Sequence, residues 1–222
     1  MIKRFILSCL IIISLVLWAW FNPIEKPSVP QKSRFIKLSM EGNIMNSWAG
    51  LWHCIVDSKT GLTWEVKSLD ESLHDKECSF SWFNGQLGVR NGEQCFANQG
   101  TSDTLNIIKM TNIEQRCGLK NWRLPTEKEL RSLLNQTQKA GDPLIAMDYF
   151  PYSKPEPYWT ATHNEELKGF FSYLKTGAIA VNFQDAKSYT LPYQNSAYVR
   201  LVTFSRTTHP HSPYAIPSLK QM

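Results

Sequence analysis

The stretch Asn121-Trp-Arg-Leu-Pro-Thr-Glu-Lys-Glu-Leu130 decides much of the fold, because it carries the clearest helix start in the chain. Thr126 and Glu129 have the spacing of a capping box, in which each side chain accepts a hydrogen bond from the other residue's backbone amide. Three leucines follow at the spacing of a buried helical stripe: Leu130, Leu133 and Leu134. The pattern therefore predicts a helix that begins directly after Thr126.

The residues in front of this helix are interpreted as structural. Trp122 and Leu124 are apolar and are expected to pack in the core, while Pro125 restrains the backbone ahead of the helix. Arg123 is expected to bond carbonyls or a carboxylate as a structural clamp. Capping and packing then account for most of the segment, so no ligand is assigned to it.

An earlier helix and several strands complete the fold prediction. The earlier helix is expected to start at Ser102 or Asp103, to run to about Arg116 and to be capped by Gly118. Strands are predicted at 53–57 and 62–66 (a hairpin around 58–61), 158–162, 170–174 with 178–183 (a second hairpin) and 198–203. Residues 67–100 and 140–157 are predicted as long structured loops. The order predicts an α+β fold, with two helices packed on antiparallel strands.

The N-terminus predicts a membrane anchor. Phe5 to Phe21 is a run of 17 residues without a charge, which is the lower edge of a membrane-spanning helix. Bulky residues around Ala19 disfavour cleavage, so an uncleaved anchor is preferred over a cleaved signal peptide. A lipoprotein box ending at Cys9 is a third, weaker interpretation. The expected organisation is a signal anchor at 1–21, a Pro- and Lys-containing linker at 22–46, a folded domain at 47–206 and an extended tail at 207–222.

Charge and composition narrow the class of partner. The chain of 222 residues carries a formal net charge of +5 and is 42% hydrophobic, which excludes a disordered or collagen-like chain. Without residues 1–30, 21 basic and 18 acidic residues remain, an excess of about +3. Such a mild excess predicts no nucleic-acid partner.

The cysteines indicate the compartment. Cys54, Cys78, Cys95 and Cys117 form an even set in one stretch of an exported segment, which predicts disulfides in an oxidising compartment. Four buried thiols in a cytosolic domain are the alternative. The spacings fit no zinc finger or ribbon, so no metal site is predicted.

An ordered series of motifs resembles one bacterial family. The motifs are Trp52-His-Cys-Ile-Val-Asp57, Thr60-Gly-Leu-Thr-Trp-Glu65, Cys117-Gly118, Asn121-Trp-Arg-Leu-Pro-Thr126 with Glu129-Leu130, Phe150-Pro151, Tyr158-Trp-Thr-Ala-Thr162, Val181-Asn-Phe183 and Tyr198-Val-Arg-Leu-Val202. Together they resemble the Lcl C-terminal domain family, also known as domain of unknown function 1566. The match spans about 150 residues, nearly the whole predicted domain.

The resemblance implies a fold and a class of function. The family looks related to C-type-lectin-like folds, including the formylglycine-generating group, and its namesake is a surface adhesin associated with glycosaminoglycan-like polysaccharides. Collagen-like repeats of that adhesin are absent here, since the chain has only 11 glycines. Formylglycine chemistry is not supported, because no cysteine follows Cys117. Ala186 stands where many relatives turn on a glycine.

Candidate contact residues follow from the sequence and the resemblance. One of Tyr158 and Trp159 is expected to face outward and stack on a sugar ring. Lys168 and Arg200 are candidates for a basic patch, with Lys154 and Lys175. Acidic residues beside Cys78, at 70–71, 75 and 77, would suit calcium, although no EF-hand pattern is present and a solvated loop is the preferred interpretation.

Four cysteines allow three disulfide pairings. We expect Cys54–Cys117, which would tie the first strand to the end of the first helix. We also expect Cys78–Cys95, which would close the long loop. Recovery of Cys54 linked to Cys78 by peptide mapping would overturn this assignment.

The sequence thus predicts a single-pass protein of the bacterial inner membrane whose domain faces the periplasm or the cell surface. Its expected role is adhesion or the binding of a polysaccharide. A structural or accessory subunit of an envelope or pilus-like assembly, with protein partners and no small ligand, is the first alternative. An enzyme on the same fold is the second, and it is disfavoured because the sequence shows no catalytic motif and no cofactor signature.

Overall fold

A computed structural model of the chain describes residues 33–90, 95, 100–135 and 141–204. The chain divides into two compact units, Met1–Ser33 and Arg34–Met222, and the described fold belongs to the second. The expected anchor at 1–21 and tail at 207–222 lie outside the described residues. Within those residues no helix has the length and hydropathy needed to cross a membrane.

The first sheet is antiparallel and follows the order β1-β2-β3-β7. Its strands are β1 (Phe35–Leu38), β2 (Cys54–Asp57), β3 (Leu62–Glu65) and β7 (Val202–Phe204). The predicted hairpin is confirmed: Cys54 pairs with Glu65 and Asp57 with Leu62.

The second sheet is also antiparallel and follows the order β4-β5-β6. It contains β4 (Pro157–Glu166), β5 (Thr176–Asn182) and β6 (Ser188–Leu191). Gly177 is required at the β5–β6 contact, because a Cβ added there would lie 2.1 Å from the carbonyl oxygen of Leu191.

Both predicted helices are present, at α1 (Thr104–Glu114) and α2 (Glu127–Arg131). Asp103 caps α1 by accepting from the amide of Asn106. The capping box of α2 is complete, and Thr126 and Glu129 make both of its reciprocal hydrogen bonds. The mixed α+β class with antiparallel sheets is therefore confirmed.

Hydrophobic clusters cover both faces of the first sheet. Cys54 and Val56 belong to one cluster, with Trp82, Trp122 and Trp159. Ile55, between them on β2, belongs to the other cluster, which includes Trp64, Phe150 and Tyr158. Successive side chains of a strand point to opposite faces, so β2 contributes side chains to both hydrophobic clusters. All four of its residues are buried.

Two disulfides join the parts of this fold. Cys54 is bonded to Cys117 and Cys78 to Cys95, as expected from the sequence. The first links β2 to a 3-10 turn after α1, at Arg116–Gly118. The second lies in the long segment between β3 and α1.

Several elements differ from the sequence predictions: β6 is not among the predicted strands, β4 extends beyond 162 to Glu166, and α2 ends at Arg131, before Leu133 and Leu134. The linker predicted at 22–46 contains β1, because Phe35–Leu38 pairs with β2 and Phe35 and Leu38 are buried. The strand predicted at 170–174 is a 3-10 turn, Gly169–Leu174, so β4 rather than this segment pairs with β5. The C-cap of α1 is Gln115 in the left-handed conformation, not Gly118. The last strand covers only Val202–Phe204.

Candidate functional site

A pocket beside the Cys54–Cys117 disulfide is the candidate functional site, and we call it the His53 pocket. Its volume is about 400 Å³, which is within the range of small-molecule sites. Its lining residues are Leu51, Trp52, His53, Val66, Lys67, Ser68, Leu69, Asp70, Arg116, Pro151 and Tyr152.

The disulfide positions two of the polar lining residues. His53 directly precedes Cys54 at the start of β2, and Arg116 directly precedes Cys117 after α1. The backbone on either side of Arg116 is left-handed, with φ of 50° at Gln115 and 55° at Cys117. Non-glycine residues seldom adopt this conformation, and where it persists the surrounding structure enforces it.

The floor of the pocket contains two buried nitrogens without a hydrogen-bond partner among the described residues, Arg116 Nε and His53 Nδ1. Arg116 is 3% exposed, and its Nη2 donates to the carbonyl of Val66 over 3.2 Å. Burial lowers the pKa of Arg116. Burial, and then the charge of Arg116, lower the pKa of His53 from its ordinary value of 6.5. The imidazole is therefore held toward its neutral form, in which one nitrogen donates and the other accepts.

A buried charge network supports the floor. The Oε1 atom of Glu65 lies 2.8 Å from Lys67 Nζ and 2.7 Å from His74 Nδ1. The second ring nitrogen of His74 lies 3.1 Å from Glu114. Burial opposes the charge of Glu65, but Lys67 and His74 outweigh it and lower the pKa of that carboxyl. Lys67 is thus paired with Glu65, whereas Arg116 Nε has no hydrogen-bond partner among the described residues.

The rim of the pocket is apolar and exposed. Leu51 is 86% exposed, Leu69 is 56% exposed and Tyr152 is 38% exposed. Leu51 and Tyr152 also have left-handed backbones, with φ of 55° and 63°. Trp52 is fixed beside them, because its indole donates to the carbonyl of Tyr149 and Lys37 Nζ lies 3.5 Å from its ring.

A second cavity, of about 450 Å³, is more apolar. It is lined by Trp82, Phe83, Asn84, Thr104, Leu105, Ile108, Arg123, Leu124, Thr126, Ala161 and His163. Arg123 does not offer a free charge there, because both of its terminal nitrogens bond Glu129 at 2.8 and 2.7 Å. The predicted clamp role of Arg123 is confirmed, together with the packing of Trp122 and Leu124.

Comparison with known proteins places the chain in a family. The sequence model of the Lcl C-terminal domain matches residues 53–203, more than half of the chain. The chain belongs to the Lcl C-terminal domain family. No curated protein and no solved structure matches it.

In this Lcl C-terminal domain, the expected contact residues are not brought together. Tyr158 and Trp159 are 1% and 0% exposed, so the expectation that one faces outward is wrong. The reason is that β4 alternates as predicted but has both faces covered: Trp159 packs in one hydrophobic cluster and Tyr158 in the other.

The expected basic patch is also not assembled. Arg200 is fully buried and donates to the carbonyl of Glu65 and the hydroxyl of Ser153. Lys154 is paired with Glu77 over 2.8 Å, while Lys168 and Lys175 are exposed at the ends of the 3-10 turn. None of Tyr158, Trp159, Lys168 and Arg200 lines either cavity.

The acidic residues considered for calcium have other partners. Asp70 accepts from the hydroxyl of Ser68 and the amide of Ser72, and these bonds outweigh burial and lower its pKa. Glu77 pairs with Lys154. Across the described ranges, no group of three His, Cys, Asp or Glu residues is arranged to hold a metal ion.

Sequence reasoning missed the His53 pocket. The sequence predicts a strand at His53 and the end of a helix at Arg116, and it indicates no site at either residue. A buried guanidinium leaves no periodic signal in sequence, because its burial depends on distant residues, such as Val66, whose carbonyl it contacts. The adjacency of His53 and Arg116 to two cysteines that pair was the available signal.

Proposed function

We propose that this chain is an extracytoplasmic, membrane-tethered binding module of the C-type-lectin-like fold group, and that it binds a polysaccharide or other glycan in the His53 pocket. Binding would place the chain in adhesion. The proposed location is the bacterial inner membrane, with the domain facing the periplasm or the cell surface.

The observation that carries this proposal is an exposed apolar rim above a buried polar floor. Contiguous exposed apolar patches rimming a cavity mark binding sites, whereas singly scattered apolar residues do not. Leu51, Leu69 and Tyr152 form such a rim, and Arg116 lies beneath it with an unused Nε–H.

The chemistry of the pocket suits a sugar. The apolar C–H face of a pyranose would lie against Leu51 and Tyr152. Its hydroxyl or acidic substituents would accept from Arg116 and exchange a hydrogen bond with the neutral imidazole of His53. An unpaired buried donor costs about 1–3 kcal/mol, so a ligand oxygen placed on either nitrogen recovers that cost.

Two features support the proposed location. Both disulfides are typical of an oxidising compartment. The uncharged run Phe5–Phe21 has the composition of a signal anchor.

The test is a glycan array probed with the full-length, oxidised chain in detergent, with and without calcium. The informative variant is Leu51→Gly, because glycine removes the rim side chain and also accepts the left-handed backbone at this position. Ile113→Ser is the matched control, since Ile113 is a 71% exposed apolar residue of α1 that does not line the pocket.

We expect the wild type and Ile113→Ser to bind to the array. Leu51→Gly should lose most of this binding without a loss of thermal stability. Equal retention by Leu51→Gly and the wild type would overturn the assignment of the pocket. If a folded, disulfide-intact wild type binds no glycan on the array, glycan binding is overturned. The accessory-subunit alternative, in which the partner is a protein of the envelope, is then favoured.

A further inference from the structure

The 3-10 turn between β4 and β5 carries an exposed aromatic cluster that glycan binding does not use. We call it the aromatic turn, Gly169–Leu174, with the flanking residues Lys168 and Lys175. Phe170 is 83% exposed and Tyr173 is 69% exposed, and Phe171 is 38% exposed. None of these rings lines the His53 pocket or the second cavity.

We infer that the aromatic turn inserts into the interface of a phospholipid bilayer. This inference rests on the membrane tethering in the proposed function, but it does not depend on glycan binding.

The rings are held in place by each other. Phe170 packs edge to face on Phe171, with centroids 5.3 Å apart, and on Tyr173, with centroids 6.4 Å apart. Edge-to-face pairs are a favourable aromatic geometry. The cluster is therefore ordered before it meets a partner, which lowers the entropy cost of binding.

The base of the turn is closed by the chain on both sides. The amide of Leu167 donates to the carbonyl of Lys175, and the amide of Lys175 donates to the carbonyl of Ser172. Leu167 is 2% exposed and anchors the base in the domain. The rings thus project from a rigid part of the second sheet rather than from a free loop.

The size of the cluster favours a lipid surface over a protein. An aromatic side chain has about 150–250 Å² of surface, so the exposed parts of Phe170, Phe171 and Tyr173 together present roughly 400 Å² to solvent. A stable protein interface buries about 800 Å² on each partner. A tethered domain needs less, because the tether supplies a high effective concentration at the membrane.

The length of the proposed linker is compatible with this contact. Once β1 is counted with the domain, residues 22–33 separate the anchor from the folded unit. Such a segment reaches at most about 40 Å at 3.3–3.6 Å per residue. A domain tethered in this way would stay within that distance of the bilayer surface.

Charge does not drive the contact. The exposed charged residues nearest to the aromatic turn in sequence are two lysines, Lys168 and Lys175, and two glutamates, Glu165 and Glu166. Their charges cancel, so insertion would depend on the aromatic rings, as it does for interfacial phenylalanine and tyrosine generally. Salt should leave it unchanged.

The test is photo-crosslinking of the full-length protein in membranes of a bacterial host. Benzoylphenylalanine replaces Phe170 in one variant and Ile113 in the control, because both positions are exposed and apolar. We expect lipid adducts by mass spectrometry at 170, on the order of tenfold more than at 113, as partitioning of the rings into the bilayer would give. The yield should be equal at low and high salt.

Protein adducts in place of lipid adducts at 170, or equal lipid yields at the two positions, would overturn the inference. Carbonate extraction of the same membranes separates this failure from a failure of the tether. A chain that stays in the pellet without lipid adducts at 170 keeps the tether and refutes the aromatic contact. A chain released to the supernatant without adducts refutes both. Glycan retention by Phe170→Ser should equal that of the wild type, because Phe170 does not line the His53 pocket.

Discussion

His53 and Arg116 line one pocket and each directly precedes one cysteine of the same disulfide. They are 63 residues apart in sequence, as are Cys54 and Cys117. The covalent bond therefore fixes the separation of the two polar groups that the proposed ligand would contact. We therefore expect both the stability of the domain and the binding of the ligand to depend on the Cys54–Cys117 disulfide.

Removing the Cys54–Cys117 disulfide should destabilise the domain strongly. The loop-entropy relation gives about 4 kcal/mol for the 63-residue loop and about 3 kcal/mol for the 17-residue loop of Cys78–Cys95. We expect urea unfolding to show a larger loss for Cys54→Ala/Cys117→Ala than for Cys78→Ala/Cys95→Ala. The reverse order would show that loop length does not determine how much each disulfide stabilises the domain.

The buried carboxylate of Glu65 is predicted to be essential for stability. Glu65→Gln leaves the buried Lys67 without its partner and weakens the contact to His74, so the free energy of unfolding should fall by about 3–5 kcal/mol. Because the pKa of Glu65 is lowered in the fold, its contribution is present above the ordinary value of 4.5 and is lost as the pH falls below it.

Glu129→Gln is the matched control for Glu65→Gln. Its partner Arg123 is 37% exposed, and glutamine preserves the capping box at Thr126. The loss should stay below about 1 kcal/mol. Chemical denaturation at pH 7 measures both variants, and equal losses would contradict the special role of the buried network.

His53 should make the fold less stable in mild acid. Its pKa in the folded state is lowered by burial and by Arg116, so below pH 6.5 the unfolded chain takes up a proton that the folded chain does not. Stability then falls from pH 6.5 toward the lowered pKa, and His53→Gln should reduce that slope. An NMR titration that placed the pKa of His53 at or above 6.5 would refute this account.

Ala186→Gly is expected to stabilise the turn between β5 and β6. Ala186 has a φ of 58°, a conformation that costs an alanine about 1–2 kcal/mol, and glycine relieves this cost while losing some chain entropy. We expect a net gain of about 0.5–1 kcal/mol in thermal unfolding. Ala49 does not have a positive φ, so Ala49→Gly should give no gain in stability.

Local signals in the sequence were sufficient for much of the fold. The capping box at Thr126 and Glu129 and the hairpin of β2 and β3 depend on short spacings, and the presence of disulfides, though not their pairing, follows from an even count of cysteines; each is confirmed. These features need no knowledge of distant contacts.

The errors arose where distant contacts decide the outcome. Alternation in β4 was predicted, but whether its second face is covered depends on a separate hydrophobic cluster. The segment 170–174 has the composition of a strand, yet Gly169 and Lys175 have a positive φ and the amide of Leu167, directly after β4, bonds the carbonyl of Lys175, so the segment forms a turn. The burial of Arg116 likewise depends on residues far along the chain.

The pairing of β1 with β2 has a practical consequence for anyone who prepares a shortened protein. A fragment that starts at residue 46 or 47 would lack Phe35–Leu38 and the ion pair of Arg34 with Asp57. The N–H and C=O groups of β2 would then form an open edge, which recruits strands from other molecules. Such a fragment should self-associate in solution, whereas one that starts before Arg34 should remain monodisperse.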